Sequence, residues 1–422
     1  MRILFVTPYV PSRIRVRPFN LIKSLSALHE ISLVSLLCDE YEREMVEDVA
    51  KFCASVDLVP LPKRKAYKNC LVALPTLMPL RVAYYKSPAF VHRIKQVIRE
   101  RHIELVHGEL IKVVPALKAV QAQENIPFLY DSVDCISWYL QQQWRTARNP
   151  LKKTFVYTEL QKMRRYELQS LLAFDQVVIT SEHDYDRLIA LGEGLQQIKV
   201  VPNGVDTSYF TPPAFPREKD SLVFCAKLDY YPNSQAIVTF CCEILPLIWE
   251  RRPEVRLTIV GNNPPQAVRN LGLDRRITVT GYVPDIRPYL SKAAIALAPL
   301  QIAAGMQNKV LEALAMGLPV VATPGSCRSF RVKNGIELLI AEGGQAYADA
   351  VLKVLDNQQL ACDLGSAGRR YVELNHSWEA TANLLSDLYQ ALVEKRDQQR
   401  HALDPRWHSN SLLPNQVELR SY

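Results

Sequence analysis

The sequence lacks any apolar run of membrane-spanning length, which argues against a transmembrane helix. The apolar part of its N-terminus is too short for a signal peptide, so Arg2 to Thr7 predicts a first β-strand instead. The nine cysteines contain no CxxC pair and no His/Cys cluster at metal-ligand spacing. We therefore expect a reducing, cytoplasmic setting without a disulfide framework or a zinc site, and these residues do not indicate a resident cofactor.

Signatures of nucleic-acid binding are also missing, because there is neither an RNA-recognition motif nor a zinc finger. The net charge of +8 is mild and suits an anionic substrate or a lipid headgroup surface as well as nucleic acid. With 48% hydrophobic and 22% charged residues, the composition is that of a soluble globular protein. We expect no nucleic-acid partner.

A chain of 422 residues is too long for one ordinary core, so two domains are the natural expectation. Alternating strand and helix patterns predict a doubly wound α/β domain over residues 1–205 and a second one over 206–376. A helix over residues 377–398 follows, and the tail 403–422 reads as disordered. Two such domains imply a cleft that faces the carboxyl ends of their strands.

The segment 63–86 interrupts this alternation. It opens with four basic residues, continues as an apolar run broken by prolines, and ends with Tyr84, Tyr85 and Lys86. Basic residues beside an apolar, aromatic segment favour contact with a membrane surface. A helix and loop packed on the domain explain the same pattern, and the prolines disfavour a spanning helix.

The stretch Gly305 to Thr323 predicts a glycine loop, a helix over Gln307 to Met316 and a buried strand. A glycine turn at a helix N-terminus presents free backbone N–H groups to an anion, typically phosphate. Lys309 adds positive charge there, and Glu312 suits a carboxylate that accepts hydrogen bonds from sugar hydroxyls. An ordinary αβ unit with a solvated Glu312 remains open on the pattern alone.

Several further motifs accompany this stretch in the second half of the chain. They are Val201-Pro202-Asn203-Gly204-Val205-Asp206, Leu228-Asp229-Tyr230-Tyr231-Pro232-Asn233, Ile259-Val260-Gly261 and Val279-Thr280-Gly281-Tyr282-Val283-Pro284-Asp285. Together they resemble the retaining family 4 glycosyltransferases, closest to the sugar-transferase subgroup associated with exopolysaccharide clusters. The resemblance implies the GT-B fold, which consists of two Rossmann-like domains facing a central cleft. It also implies sugar transfer from a nucleotide-sugar to the hydroxyl of a glycan or lipid-linked acceptor, without an obligatory metal.

The resemblance also implies roles for residues of the second domain. Glu312 matches the carboxylate that binds the nucleotide ribose, and Lys227 matches the basic residue that neutralises the donor diphosphate. Gly305, Gln307, Asn308 and Lys309 form the loop that meets the phosphates or the sugar. Gly261 is a turn that admits the base or ribose, and Tyr282 and Val283 stand at the edge of the base pocket.

In the first domain, His107, Asp131 and Asp134 end predicted strands that face the cleft. We expect His107 and Asp131 on the catalytic side, and Asp134 beside the acceptor. Three arginines of the first loop would supply positive charge on the acceptor and phosphate side: Arg13, Arg15 and Arg17. A packed imidazole at His107 and a helix-capping role for the aspartates remain open.

The sequence departs from the family pattern at three places. Ala304 stands where a second carboxylate would touch the donor sugar, Asn233 replaces a phosphate-binding lysine, and the first loop lacks its glycine pair. Two alternative functions therefore stay open. One is a degenerate GT-B protein that binds a nucleotide or glycan without transfer, and the other is a nucleotide-sugar epimerase of the same fold.

Overall fold

The computed structural model describes residues 1–403 except 302 and 304, and it contains two sheets in which every strand pair is parallel. The seven-stranded sheet has the order β3-β2-β1-β4-β5-β6-β7 and the six-stranded sheet the order β10-β9-β8-β11-β12-β13. The strands of the first sheet are β1 (Arg2–Thr7), β2 (Glu30–Leu37), β3 (Ser55–Pro60), β4 (Leu105–Glu109), β5 (Phe128–Val133), β6 (Gln176–Ile179) and β7 (Ile198–Val200). Those of the second are β8 (Ser221–Cys225), β9 (Arg256–Val260), β10 (Ile277–Val279), β11 (Ile295–Ala298), β12 (Val320–Ala322) and β13 (Leu339–Ile340).

Helices cover both faces of each sheet and connect successive strands. In the first domain they are α1 (Val16–Leu25), α2 (Val46–Ala50), α3 (Lys63–Ala73), α4 (Leu80–Ala83), α5 (Pro88–Glu100), α6 (Val114–Gln121), α7 (Ile136–Thr146), α8 (Pro150–Leu171) and α9 (Glu182–Ile189). The later ones are α10 (Tyr231–Thr239), α11 (Leu245–Arg251), α12 (Gln266–Arg269), α13 (Arg287–Lys292), α14 (Asn308–Ala315), α15 (Pro324–Cys327), α16 (Gly344–Asp356), α17 (Gln358–Asn375) and α18 (Trp378–Leu403).

The strand order follows from burial on both faces. In β1, residues 3–7 are wholly buried, as expected for a central parallel strand between two helical layers. The order reverses between β1 and β4 in the first sheet and between β8 and β11 in the second. These reversals are the topological switch points at which open α/β sheets bind ligands. The predicted GT-B architecture is confirmed.

Three local features complete the fold. A 3₁₀ turn (Glu40–Met45) leads into α2. Cys241 is buried and its neighbour Cys242 is exposed on a π-helical turn (Phe240–Ile244). Gly317 directly follows the helix predicted over Gln307 to Met316 and ends it with a positive φ of 58°.

The last helix, α18, packs on the first domain. Its Trp378 and Tyr389 are buried in the same apolar cluster as strand β1, and its Ser386 hydroxyl lies 2.9 Å from His29 Nε2. The chain therefore crosses back from the second domain to cover the first sheet. The predicted tail lies outside the described residues from position 404 onward.

The segment 63–86 forms α3, α4 and the loop between them. Ala66 and Ala73 bury one side of α3, and the Leu80 N–H donates to Glu159 of α8 at 2.8 Å. Its outer side carries five exposed apolar side chains: Tyr67, Leu71, Val72, Leu74 and Leu77. Across the part of the chain that the structure describes, no helix has the length and apolar character needed to span a bilayer.

Candidate active site

A cleft of about 570 Å³ lies between the two domains, where the carboxyl ends of their strands face each other. Its second-domain wall includes Tyr282, Val283, Asn308 and Glu312. Its first-domain wall includes Arg13. The structure therefore brings the predicted base-edge and ribose residues together in one cleft.

Gly305 adopts a positive φ of 63° at the start of the predicted glycine loop. A Cβ placed there would lie 3.2 Å from Cβ of Asp134 in the first domain, so a side chain would crowd the domain contact. Within the loop, Gln307 Nε2 donates to the Gly305 carbonyl at 3.4 Å. The first-turn N–H groups of α14 follow directly, as an anion site requires. Ala304, the position of the missing carboxylate, lies outside the described residues.

Lys309 and Asn233 are partners. Lys309 Nζ donates to Asn233 Oδ1 at 2.5 Å, so the ammonium of α14 reaches the position where the resembled family places its own lysine. Lys309 thus supplies, from α14, the positive charge that the resembled family supplies with a lysine at position 233. Burial lowers the pKa of Lys309 and raises the pKa of Glu312. The charges of Lys309 and Glu312 act on each other and oppose both shifts.

Lys227 follows β8 and is half-buried, with its Nζ 3.6 Å from Asp229 Oδ2. Burial, then the charge of Arg15 across the cleft, lowers the pKa of Lys227. Gly261 is predicted to admit a base or ribose, and the structure shows a further constraint at this position. A Cβ at Gly261 would collide with the Ala226 carbonyl, so this glycine lets the loop that carries Lys227 pack closely.

Arg17 does not offer a free charge to a phosphate, contrary to expectation. It is buried in α1, where Nη2 lies 2.7 Å from Asp131 Oδ2 and Nε donates to the same oxygen at 2.8 Å. Its Nη1 donates to Asn203 Oδ1 at 2.7 Å. The Asn203 amide in turn donates to Asn308 Oδ1 at 2.9 Å. Asp131, Arg17 and Asn203 thus connect the first sheet to the first residue of α14.

His107 and Asp131 were expected to face the cleft, and this was wrong because both are completely buried. His107 Nδ1 lies 2.6 Å from the Tyr389 hydroxyl of α18, and its ring stacks on Phe5 with centroids 4.4 Å apart. Its Nε2 is 3.5 Å from Asp131 Oδ2. Burial lowers the pKa of His107, so the ring is neutral near neutral pH. Both residues position Arg17 and α18 rather than touch a ligand.

Of the remaining first-domain residues, Arg13 lines the cleft and Asp134 lies against Gly305. Burial, reinforced by the Asp184 charge, raises the pKa of Asp134 to about 7. Arg13 lies over the Tyr209 ring at 5.1 Å. Arg15 lies over the Tyr9 ring at 4.1 Å and its Nη2 is 3.9 Å from Glu42.

Sequence reasoning missed two polar residues of this region, Glu109 and Asn203. Glu109 ends β4 two residues beyond His107, and its carboxyl oxygen Oε2 is buried without a hydrogen-bond partner in the described chain. Its place at a strand end is the same sequence feature that indicated His107. Asn203 lies in the motif Val201 to Asp206, but its role becomes clear only from its position between Arg17 and Asn308. Across the described positions, no three His, Cys, Asp or Glu side chains are grouped to hold a metal ion.

Two α/β domains with parallel sheets that face one cleft define the GT-B class of fold. Residues 16–209 match the model described as Glycosyltransferase Family 4, and residues 219–357 match that of Glycosyl transferases group 1. The two matches fall on the two domains. Each of the two domains therefore matches a glycosyltransferase family model.

One curated relative is the GDP-mannose-dependent α-(1-6)-phosphatidylinositol monomannoside mannosyltransferase of Mycobacterium tuberculosis (strain CDC 1551 / Oshkosh). It is 27% identical over 238 residues, which make up 50% of this chain and 61% of the relative. The chain thus spans about three fifths of the length of that relative.

Two solved structures share the fold. Sucrose-phosphate synthase from Thermosynechococcus elongatus has a TM-score of 0.74 at 18% identity, covering 94% of this chain and 100% of its own. Anabaena Alr3699/HepE in complex with UDP-glucose has a TM-score of 0.69 at 15% identity, covering 93% and 100%.

Proposed function

We propose that this protein transfers a sugar from a nucleotide-sugar to an acceptor hydroxyl with retention of anomeric configuration. The observation that carries the proposal is the interdomain cleft in which Glu312 and Asn308 stand beside Tyr282 and Val283. The mycobacterial relative is named as a GDP-mannose-dependent enzyme, and the Anabaena structure holds UDP-glucose. Both names support a nucleotide-sugar donor for this chain.

The donor lies along the second domain. Glu312 accepts hydrogen bonds from the ribose, and Tyr282 and Val283 border the base. Lys227, Lys309 and the N-terminus of α14 stabilise the diphosphate as it leaves, so positive groups fixed by the fold take the part that a metal plays in other transferases. Gly305 and Asn308 hold the sugar against Asp134 of the first domain.

The acceptor is a glycan or lipid-linked molecule, and the enzyme works at the cytoplasmic face of a membrane. The relative is named for a phosphatidylinositol mannoside, which supports a lipid-linked acceptor. The outer side of the segment 63–86 supports membrane contact. This surface combines the exposed side chains of Leu71, Leu74 and Leu77 with the basic start of α3.

The test is incubation of the full chain with UDP-, GDP- and ADP-sugars, with and without lipid extracts, in buffer with and without EDTA. Transfer should occur with one donor class, survive EDTA, and give a product whose anomeric proton coupling matches that of the donor. Nucleotide binding without turnover on any acceptor would favour a degenerate binder. An altered sugar formed without acceptor would favour an epimerase. The absence of both nucleotide binding and turnover would refute the proposal.

A further inference from the structure

The switch point of the first sheet brings a group of polar residues together at the carboxyl ends of its strands, which is where open α/β sheets have their ligand-binding crevice. Tyr9 follows β1, Glu109 ends β4 and Lys112 lies just beyond it, so the reversal of strand order brings these residues together. Arg15 from the first loop and Arg81 from α4 lie close to Lys112. We call Tyr9, Arg15, Arg81, Glu109 and Lys112 the switch-point crevice.

Positive charge is concentrated in this crevice. Arg15 Cζ lies 4.1 Å and Lys112 Nζ 5.5 Å from the centre of the same Tyr9 ring. Lys112 is half-buried and also lies 4.8 Å from the Tyr85 ring. Burial, then the charges of Arg15 and Arg81, lowers the pKa of Lys112 to about 8. Burial and the neighbouring cations both disfavour the charged form of Lys112, and such perturbed groups are common at ligand-binding sites.

In the described chain, the Lys112 ammonium and the Arg81 guanidinium form no ion pair or hydrogen bond, and both lie over aromatic rings. Arg15 reaches Glu42 at only 3.9 Å. The carboxyl groups of Asp134 and Glu109 lie near enough to act on Lys112 electrostatically, but neither is within ion-pair distance of it. Lys112 and Arg81 therefore keep their donor groups available to an external anion.

Glu109 provides a second, independent sign of a ligand. Its side chain is 2% exposed, and Oε2 has no hydrogen-bond partner among the described residues. The following residue, Leu110, has a positive φ of 69° and donates its N–H to the Asp131 carbonyl at 2.8 Å. A branched residue in this region is strained, and such strain collects at functional sites. A buried, unpaired carboxyl oxygen held in this way calls for a hydroxyl or another donor.

We infer that the switch-point crevice binds an acceptor that carries a phosphate group close to the hydroxyl that receives the sugar. Lys112, with Arg15 and Arg81, pairs with the phosphate, and Glu109 hydrogen-bonds a hydroxyl of the acceptor. The inference rests on the proposed function and names the chemical class of its acceptor. The donor diphosphate is bound separately, by Lys227, Lys309 and α14. Arg15 lies near enough to Lys227 to lower its pKa, which places the two phosphate sites side by side.

The experiment is calorimetric titration of the full chain with glycerol phosphate and with octyl phosphate, using glycerol and octyl glucoside as uncharged matches. Saturating nucleoside diphosphate from the donor panel fills the donor site, and a parallel series omits it. We expect saturable binding of a phosphate probe and none of its uncharged match. Tighter binding of octyl phosphate indicates a lipid phosphate as the source, and tighter binding of glycerol phosphate a soluble one.

Matched variants identify the site. Lys112→Gln should weaken phosphate-probe binding about tenfold or more, because it removes a charge-assisted contact, while Lys112→Arg should keep most of it. Lys118→Gln, on the exposed side of α6, should leave binding within twofold. If Lys112→Gln does not fold, the Arg81→Gln variant tests the site instead, because the Arg81 side chain is exposed. Arg81→Gln should weaken phosphate-probe binding at least threefold.

The inference is overturned if no phosphate probe binds saturably, or if the Lys112 and Arg81 variants bind like Lys118→Gln. Failure of the proposed function would look different. In that case nucleotides would not bind, while the parallel series without nucleotide would still report phosphate binding at Lys112.

Discussion

The Asn203 amide donates to Asn308 Oδ1 at 2.9 Å while its own oxygen accepts from Arg17 at 2.7 Å. One side chain in the connection between the domains thus touches a buried ion pair of the first domain and the first residue of the donor helix. The backbone of Asn203 is held as well, since its carbonyl lies 2.8 Å from His376 Nδ1. The contact between the domains and the position of Asn308 at the start of α14 therefore depend on the same residue.

Asn203→Ala should loosen this arrangement. It leaves Arg17 Nη1 without its acceptor in a buried place, and hydrogen bonds to charged groups contribute about 1.5–3 kcal/mol. We expect the free energy of unfolding to fall by about that amount and the KM for the donor to rise severalfold. Urea unfolding and steady-state kinetics check both. Asn270→Ala, on an exposed turn of the second domain, is the control and should change neither quantity.

Moving the positive charge from position 309 to position 233 tests the pairing of Lys309 with Asn233. Asn233→Lys alone should reduce donor affinity, although it restores the residue of the resembled family, because two ammonium groups would meet at a distance now spanned by a 2.5 Å hydrogen bond. The double variant Asn233→Lys, Lys309→Gln should recover most of the affinity. If the single variant binds the donor as tightly as the parent, Lys309 does not occupy that position.

The Arg17–Asp131 ion pair predicts an acid-dependent stability. Burial alone would raise the pKa of Asp131, but Arg17 and His107 hold it below its ordinary value. A depressed pKa contributes stability that is complete above the unfolded pKa of about 3.9 and is lost as pH falls through the folded pKa.

Asp131→Asn should therefore cost about 3–5 kcal/mol at pH 7, since it leaves Arg17 uncompensated. The difference from the parent should shrink below about pH 4. Urea unfolding at pH 7 and pH 3 measures it, and an equal difference at both pH values would contradict the assignment.

The outer surface of α3 predicts salt-sensitive membrane binding. Leu71→Ser with Leu77→Ser should reduce sedimentation with vesicles of anionic lipid without changing stability, because both side chains are more than half exposed. Leu273→Ser, at a still more exposed position on the second domain, should have no effect. Added salt should weaken binding further, since the basic start of α3 contributes a screened attraction. Identical sedimentation of both variants would remove α3 from the proposal.

The fold, and the loop and helix between Gly305 and Gly317, were predictable from sequence because their signals are local. Apolar strands, the glycine loop before Asn308 and the stop at Gly317 depend on neighbouring residues. The acceptor side was harder. His107, Asp131 and Arg17 have the chemistry of site residues, yet tertiary packing pairs them with one another and with Tyr389, which lies 282 positions from His107. Glu109 and Asn203 carry no strong local pattern, so only their positions in the fold reveal them.

The most direct test of the account is the affinity of Glu312→Ala for the donor. The side chain lines the cleft beside Tyr282 and is assigned to the ribose, so its removal should weaken binding of the nucleotide-sugar about tenfold or more, as expected for loss of a charged hydrogen-bond partner. Glu250→Ala, exposed at the end of α11, is the matched control. Calorimetry on the two variants gives the answer. A tenfold loss confined to Glu312→Ala supports the donor site, and unchanged donor affinity in a folded Glu312→Ala protein contradicts it.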